Sequence, residues 1–142
     1  RALEFGADHV INAGEYSINK LNDITKGRFA ERVIVCAGAK QAVDDAISSV
    51  DRSGRILFFA VPEADINIPS MRFWRDEITV AFSYGASPDD IREAINLIES
   101  GAVDAREMIT HRIPLSDIQK GFNLVSQAGE SLKVVIVPDS SF

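Results

Sequence analysis

The chain has 142 residues, 46% of them hydrophobic and 25% charged, which suits one globular core, with or without an appendage, and speaks against disorder. A net charge of −6, with its 15 basic residues scattered, excludes the clustered Lys and Arg that phosphate backbones require, so no nucleic-acid partner is expected. No apolar run approaches the ~20 residues of a membrane span and no signal peptide is visible, while a single cysteine, Cys36, rules out an internal disulfide and suits a reducing cytoplasm.

In chain order, Arg1 to Phe5 reads as the last turn of a helix closed by Gly6, too short to form alone because helix nucleation is costly. "HVIN" (His9 to Asn12) follows as a short buried strand. In "EYSINKLNDITKGR", Ile18, Leu21 and Ile24 mark a moderately amphipathic helix ending near Gly27. "RVIVCAG" (Arg32 to Gly38) is an apolar run rich in Val and Ile, the pattern of a strand buried on both faces. "QAVDDAISSV" sets Val43, Ala46, Ile47 and Val50 at helical spacing, and "DRSG" ends that helix. "RILFFAV" is another apolar strand, stopped by Pro62. Strands and helices alternating at this spacing imply βαβ units and a parallel sheet with right-handed crossovers.

Beyond Pro62 the pattern loosens: an extended piece at Ile66 to Ile68, an aromatic turn around Phe73 and Trp74, then a strand from Ile78 to Phe82. "SPDDIREAINLIESG" is a fully punctuated helix, with Ser87 as cap, Pro88 at the first helical position, Asp89 and Asp90 at the positive end of the dipole, and Gly101 as stop. Its expected buried stripe is Ile91, Ala94, Ile95 and Ile98. "ITHRIPL" is a strand leading to a second capping box, Ser116 with Gln119, and to a helix carrying Ile118, Phe122 and Val125 that Gly129 ends. "LKVVIVP" closes the chain as a strand.

Little chemistry is legible. His9 and His111 lack companions at metal-ligand spacing, whereas a catalytic zinc needs three convergent protein ligands, so both read as packed or hydrogen-bonded side chains. Cys36, inside an apolar strand, reads as an inert small hydrophobe. No nucleophile elbow and no phosphate-binding glycine loop occur. A parallel α/β sheet binds ligands at the carboxyl ends of its strands, so "CAGAK" and "AVPEAD" are where a nucleotide would lie. Small residues there let backbone approach a flat ring, although tight βα turns need small residues anyway.

Six stretches together, "FGADHVIN", "RVIVCAG", "SGRILFFAVPEAD", "EITVAFSYGASPDDIREAINLI", "MITHRIPLSDIQKGF" and "ESLKVVIVP", resemble the zinc-containing alcohol dehydrogenases of the medium-chain dehydrogenase/reductase family. The likeness is strongest to its polyol and threonine dehydrogenase-like branch, and it covers nearly the whole chain. It implies the carboxyl-terminal portion of a larger enzyme: residues 1–82 as the second half of the nucleotide-binding domain, and 83–142 as a segment packing on a catalytic domain. The expected fold class is α/β, a partial doubly wound, Rossmann-like parallel sheet with a helix-strand-helix-strand tail.

The resemblance also implies a cofactor, NAD or NADP, and a zinc whose ligands lie outside this chain, acting on a small alcohol or polyol. Cys36, Ala37 and Gly38 would border the adenosine and nicotinamide ribose, backbone at Ala60, Val61 and Pro62 would line the nicotinamide pocket, and backbone around Phe82 and Ser83 would receive the carboxamide. Lys133 stands where the family often places a cation reaching the cofactor pyrophosphate. The Ile78–Phe82 strand would be a sheet edge that pairs across a twofold axis in a homo-oligomer. Zinc-free quinone or enoyl reductases of the same superfamily, or a non-catalytic α/β nucleotide-binding or dimerisation module, are the alternatives. In the family's strand order "HVIN" would lack its neighbours, so it must fray, pair directly with "RVIVC", or find another chain.

Overall fold

The computed structural model describes residues 1–127 and 129–139. It contains two compact units, Arg1–Gly85 and the stretch from Ala86 onward. The first carries α1 (Ile18–Thr25), β1 (Ala30–Val35), α2 (Lys40–Ser49), β2 (Val50–Phe58), α3 (Ser70–Arg75) and β3 (Thr79–Phe82). Its three strands form one parallel sheet in the order β1-β2-β3. The second carries α4 (Pro88–Glu99), β4 (Ile109–Pro114), α5 (Ile118–Ser126) and β5 (Lys133–Val137), with β4 and β5 parallel. The α/β class with parallel strands is as expected.

The first unit is built around Val35, Val43, Ala46, Val50, Ile56, Phe58 and Phe73, with Val50 and Ile56 essentially sealed from solvent. Val43 and Ala46, one turn apart on α2, therefore face the sheet as their spacing requires. Ile66 and Ile68 pack against this core from a segment without regular pairing, so the extended piece is present but is no strand. The aromatic turn is the short helix α3, which buries Phe73 and leaves Trp74 exposed.

Four expectations fail for local physical reasons. His9 to Asn12 forms no strand, and Val10 is exposed; β1 pairs only with β2, so nothing offers this segment a ladder. Burial of "RVIVCAG" on both faces also fails, because α2 covers one face while Ile34, pointing the other way, is 64% exposed. "DRSG" does not end the helix: α2 stops at Ser49 and Asp51 to Gly54 belong to β2, accommodated by a register break between Ala30 and Arg32 of β1. Ser53 takes a left-handed φ of 55° within that break. Finally, β2 ends at Phe58 and not at Val61, since the Phe59 and Ala60 amides both turn to the Val35 carbonyl at 3.1 and 2.9 Å.

At the amino-terminal end of the sheet, Arg72 of α3 holds three elements together. Its guanidinium donates to the Ile47 carbonyl at 2.6 Å and the Val50 carbonyl at 2.8 Å, the last turn of α2 and the first residue of β2. A cation at a helix carboxyl end also meets the negative end of the dipole. Asp76 accompanies it, with Arg72 Nε at 3.6 Å and Arg75 Nε at 2.9 Å. The hydrogen bond from Arg75, aided by the charges of Arg75, Arg52 and Arg72, holds the Asp76 carboxyl below the usual range against a smaller opposing effect of burial.

In the second unit the α4 capping box forms: Ser87 Oγ accepts from the Asp90 amide at 3.2 Å, and Asp90 Oδ2 accepts from the Ser87 amide at 2.8 Å. The Ser87 amide first, and then the Ser87 hydroxyl, which also donates to Oδ2 at 2.8 Å, lower the Asp90 carboxyl pKa. The stripe Ile91, Ile95 and Ile98 exists but is exposed and not buried, at 49–52%. The second capping box does not form: α5 begins after a 3-10 turn at Leu115–Asp117, and the Ser116 amide and hydroxyl instead donate to Asp139 Oδ1. Gln119 bonds Asn123 one turn on. The helix stops at Ser126, before Gly129, and Ala128 between them lies outside the described residues. α5 packs on β4 and β5 through Gly121, where a Cβ would come within 2.9 Å of Ile136 Cδ1.

Replacing Arg72 by Ala strips two carbonyls of a charged donor and is expected to destabilise the first unit by on the order of 2 kcal/mol, read by urea denaturation, with Lys restoring only part. The two lowered carboxylates have a defined pH consequence. Because the folded pKa lies below the unfolded one, their stabilisation is complete above the ordinary carboxylate pKa of about 4 and is lost as pH falls through the folded value. Acid titration of α4 amide exchange should therefore show protection falling below about pH 4, and D90N should remove that acid-side loss.

Candidate functional site

Pairing in the first sheet sets Val35 opposite Phe58 and Phe58 opposite Phe82, so three strands end level with one another. Their continuations, Cys36 to Ala39, Phe59 to Asp65 and Ser83 onward, therefore leave the sheet along one carboxyl edge. That edge of an open parallel sheet is where α/β proteins place ligands.

The first two loops are locked to each other. The Glu63 amide donates to the Gly38 carbonyl at 3.0 Å, and a Cβ on Gly38 would lie 2.3 Å from the Val61 carbonyl oxygen. Glycine at this position is a requirement of backbone contact and not of a special φ, since no side chain fits between the two chains. The third loop starts from Phe82, whose ring stacks on buried Phe58 with centroids 5.4 Å apart and planes 19° from parallel. Phe82 is nonetheless 65% exposed, and the Ser83 amide is donated to the Phe58 carbonyl at 3.1 Å.

Eight of the residues expected at a cofactor site, Cys36, Ala37, Gly38, Ala60, Val61, Pro62, Phe82 and Ser83, thus follow the ends of neighbouring strands in one unit. Lys133 belongs to the other unit, as the first residue of β5, where its carbonyl accepts from Thr110 Oγ1 at 3.2 Å. Cys36 differs from expectation in one respect: β1 ends before it, and its thiol is exposed and not packed inside the strand.

Next to the Phe82 ring, Pro62, Glu63, Ala64, Asp65, Ile66 and Ile68 line a cavity of about 760 Å³. Sequence reasoning missed the two carboxylates on this wall. Their only signal was position, on a loop that follows a βα-type strand. A second opening, of about 400 Å³, runs beside the free edge of β1 between Ile11, Tyr16, Val33 and Ala46.

Rings and ribose would find apolar faces and close backbone here, in Val61, Pro62 and the Phe82 ring. The loops offer no glycine-rich turn for a pyrophosphate. Among the described residues no three His, Cys, Asp or Glu side chains converge as a metal site needs. His111 Nδ1 lies 3.0 Å from Thr110 Oγ1, and His9 is exposed. The residues present therefore fit part of a dinucleotide and do not fit a zinc ion.

Comparison with known proteins is consistent in one direction. The chain is 30% identical to the sorbitol dehydrogenase of Halalkalibacterium halodurans over 97% of its own length and 40% of that protein's. It is also 30% identical to the D-arabitol-phosphate dehydrogenase of Enterococcus avium, over 95% of this chain and 39% of the relative. In structure it is similar to an Escherichia coli oxidoreductase/dehydrogenase of unknown specificity, with a TM-score of 0.86 at 26% identity, covering 97% of this chain and 40% of that one. The chain spans about 40% of the length of these relatives. Since residues 1–100, well over half of the chain, match the model of zinc-binding dehydrogenases, the chain belongs to the zinc-binding dehydrogenase family.

Proposed function

We propose that this chain forms the carboxyl-terminal part of a zinc-dependent, nicotinamide-dependent dehydrogenase that oxidises a small secondary alcohol or polyol, and that it is inactive alone. The observation that carries the reading is the level carboxyl edge with its interlocked loops, in a chain about 40% as long as its dehydrogenase relatives. Residues 1–82 then serve as the second half of a nucleotide-binding domain, and 83–142 as the segment that packs on a catalytic domain. The relatives' names include both a free polyol and a polyol phosphate, so they leave the charge of the substrate open.

Nicotinamide, when bound, supplies the hydride chemistry; the chain's own residues bind and orient. Backbone at Ala60, Val61 and Pro62 would wall the ring, while Cys36, Ala37 and Gly38 would border the riboses. Because the Ser83 amide is already donated to Phe58, the carboxamide would meet the Ser83 hydroxyl and carbonyl beside the Phe82 backbone. Lys133 would supply a point charge to the pyrophosphate. Zinc would be held by residues outside those described. β3 is an edge of its sheet, which supports a homo-oligomer paired along Ile78–Phe82, and a lone cysteine supports a reducing, cytoplasmic setting.

Calorimetric titration of the chain with NADH should give weak binding, with a Kd of roughly 1 mM, because only part of the dinucleotide site is present. Absence of any heat or shift at several times that concentration would sink the reading. Gly38→Ala should lower stability by about 1–3 kcal/mol through overpacking against Val61 and abolish that binding. Size-exclusion chromatography with light scattering should report twice the chain mass, and a charge placed on the exposed face of the edge strand by T79K should return it to one.

A further inference from the structure

One face of the three-stranded sheet is left open to solvent by the described residues. α2 and the Phe73 ring of α3 pack on the side that carries Val35, Ile56 and Phe58. Strand alternation turns Arg32, Ile34, Arg55, Leu57, Thr79 and Ala81 to the other side. There Leu57 is half-buried and the other five are exposed. All-parallel sheets occur almost only with both faces covered, so this side is written for a partner. Its charges say of what kind. Register sets Arg32 directly beside Arg55, on strands about 4.8 Å apart. Two like charges so placed repel, and the acids close by in sequence are spent elsewhere: Glu31 is held by Arg28 at 2.8 Å, and Asp76 by Arg75 and Arg72. Among the described residues neither Arg32 nor Arg55 meets a carboxylate.

A carboxylate set between the two guanidiniums turns that repulsion into charge-assisted hydrogen bonds from both. The row two residues further along, Ile34, Leu57 and Ala81, is apolar and lies about 6.6 Å away. One turn of α-helix rises about 5.4 Å, so a helix lying along the strands meets both rows when an Asp or Glu stands one turn from its apolar stripe. The same face of a second copy brings two more arginines and no carboxylate, and does not match. We propose that this face is the docking surface of an acidic amphipathic helix from the part of the longer protein outside these 142 residues, and that Arg32 and Arg55 together hold its carboxylate. The proposal rests on the reading of this chain as one part of a larger dehydrogenase. The chain spans about 40% of its relatives' length, which leaves ample polypeptide to supply such a helix.

The test uses the full-length gene product. R32K and R55K, made singly, keep the charge and offer an amine that a carbodiimide joins to a carboxylate in direct contact; mass spectrometry of the digest then identifies the acidic peptide. Both lysines should cross-link to the same Asp or Glu, on a segment outside these 142 residues. A thiol placed on the face by I34C, in a C36S background and read on its own peptide, should react with a maleimide roughly tenfold more slowly in the native protein than in urea. R32E/R55E should raise the native rate severalfold, and R55Q alone gives the same comparison should the double reversal fail to fold. Cross-links confined to this chain, within one copy or between two, no cross-link from either lysine, or labelling as fast in the native protein as in urea overturns the docking surface. Labelling that the charge variants leave unchanged overturns the role of the two arginines. Failure of the wild-type protein to oxidise any secondary alcohol overturns the dehydrogenase reading alone, because label and cross-link report the covering segment whatever the reaction.

Discussion

Level termination of β1, β2 and β3 is the constraint on which the remainder of the first unit depends. Parallel pairing fixes Val35, Phe58 and Phe82 side by side, and one residue of slippage in either ladder would turn the inward side chains outward. The buried set Val35, Ile56 and Phe58 makes such slippage costly, because each would exchange a packed position for water. Everything at the carboxyl edge follows from that alignment: the paired amides on the Val35 carbonyl, the Gly38 and Val61 contact, and the exposed face of Phe82.

The two ends of the sheet are held by different physics. At the amino end, a partly exposed charge network of Arg72, Asp76 and Arg75 ties α3 to the junction of α2 and β2, where helix carbonyls would otherwise lack partners. At the carboxyl end the first two loops meet through backbone contact, with glycine as the enabling residue. A charged base beneath a close-fitting, mostly backbone rim leaves that rim with few side chains to reorganise.

Exposed apolar surface is the other notable feature. Ile34 on β1, and Ile91, Ile95 and Ile98 on α4, sit on faces that their periodicity marks for burial. Isolated apolar residues at a surface are ordinary, but a regular stripe on an amphipathic helix is written to be covered. A family whose members are about two and a half times as long as this chain supplies a reason for such faces without any defect in the helix itself.

Much was determined by the amino-acid sequence alone. Alternating apolar runs and helical spacing marked β1, α2, β3, α4 and β5 to within a few residues, and Ser87, Pro88 and Asp90 specified one cap completely, because such signals act over neighbouring residues. The loops at the candidate crevice were legible from their small residues and their place after strands. Tertiary structure alone decided the rest. Whether "HVIN" pairs, whether Ile34 is buried, and whether Ser116 bonds Gln119 or Asp139 depend on which distant segment arrives, and local spacing carries no record of that. The Gly38 contact and the acidic wall at Glu63 and Asp65 belong to the same class: each exists only once two strands end level, a fact of register between residues far apart in the chain.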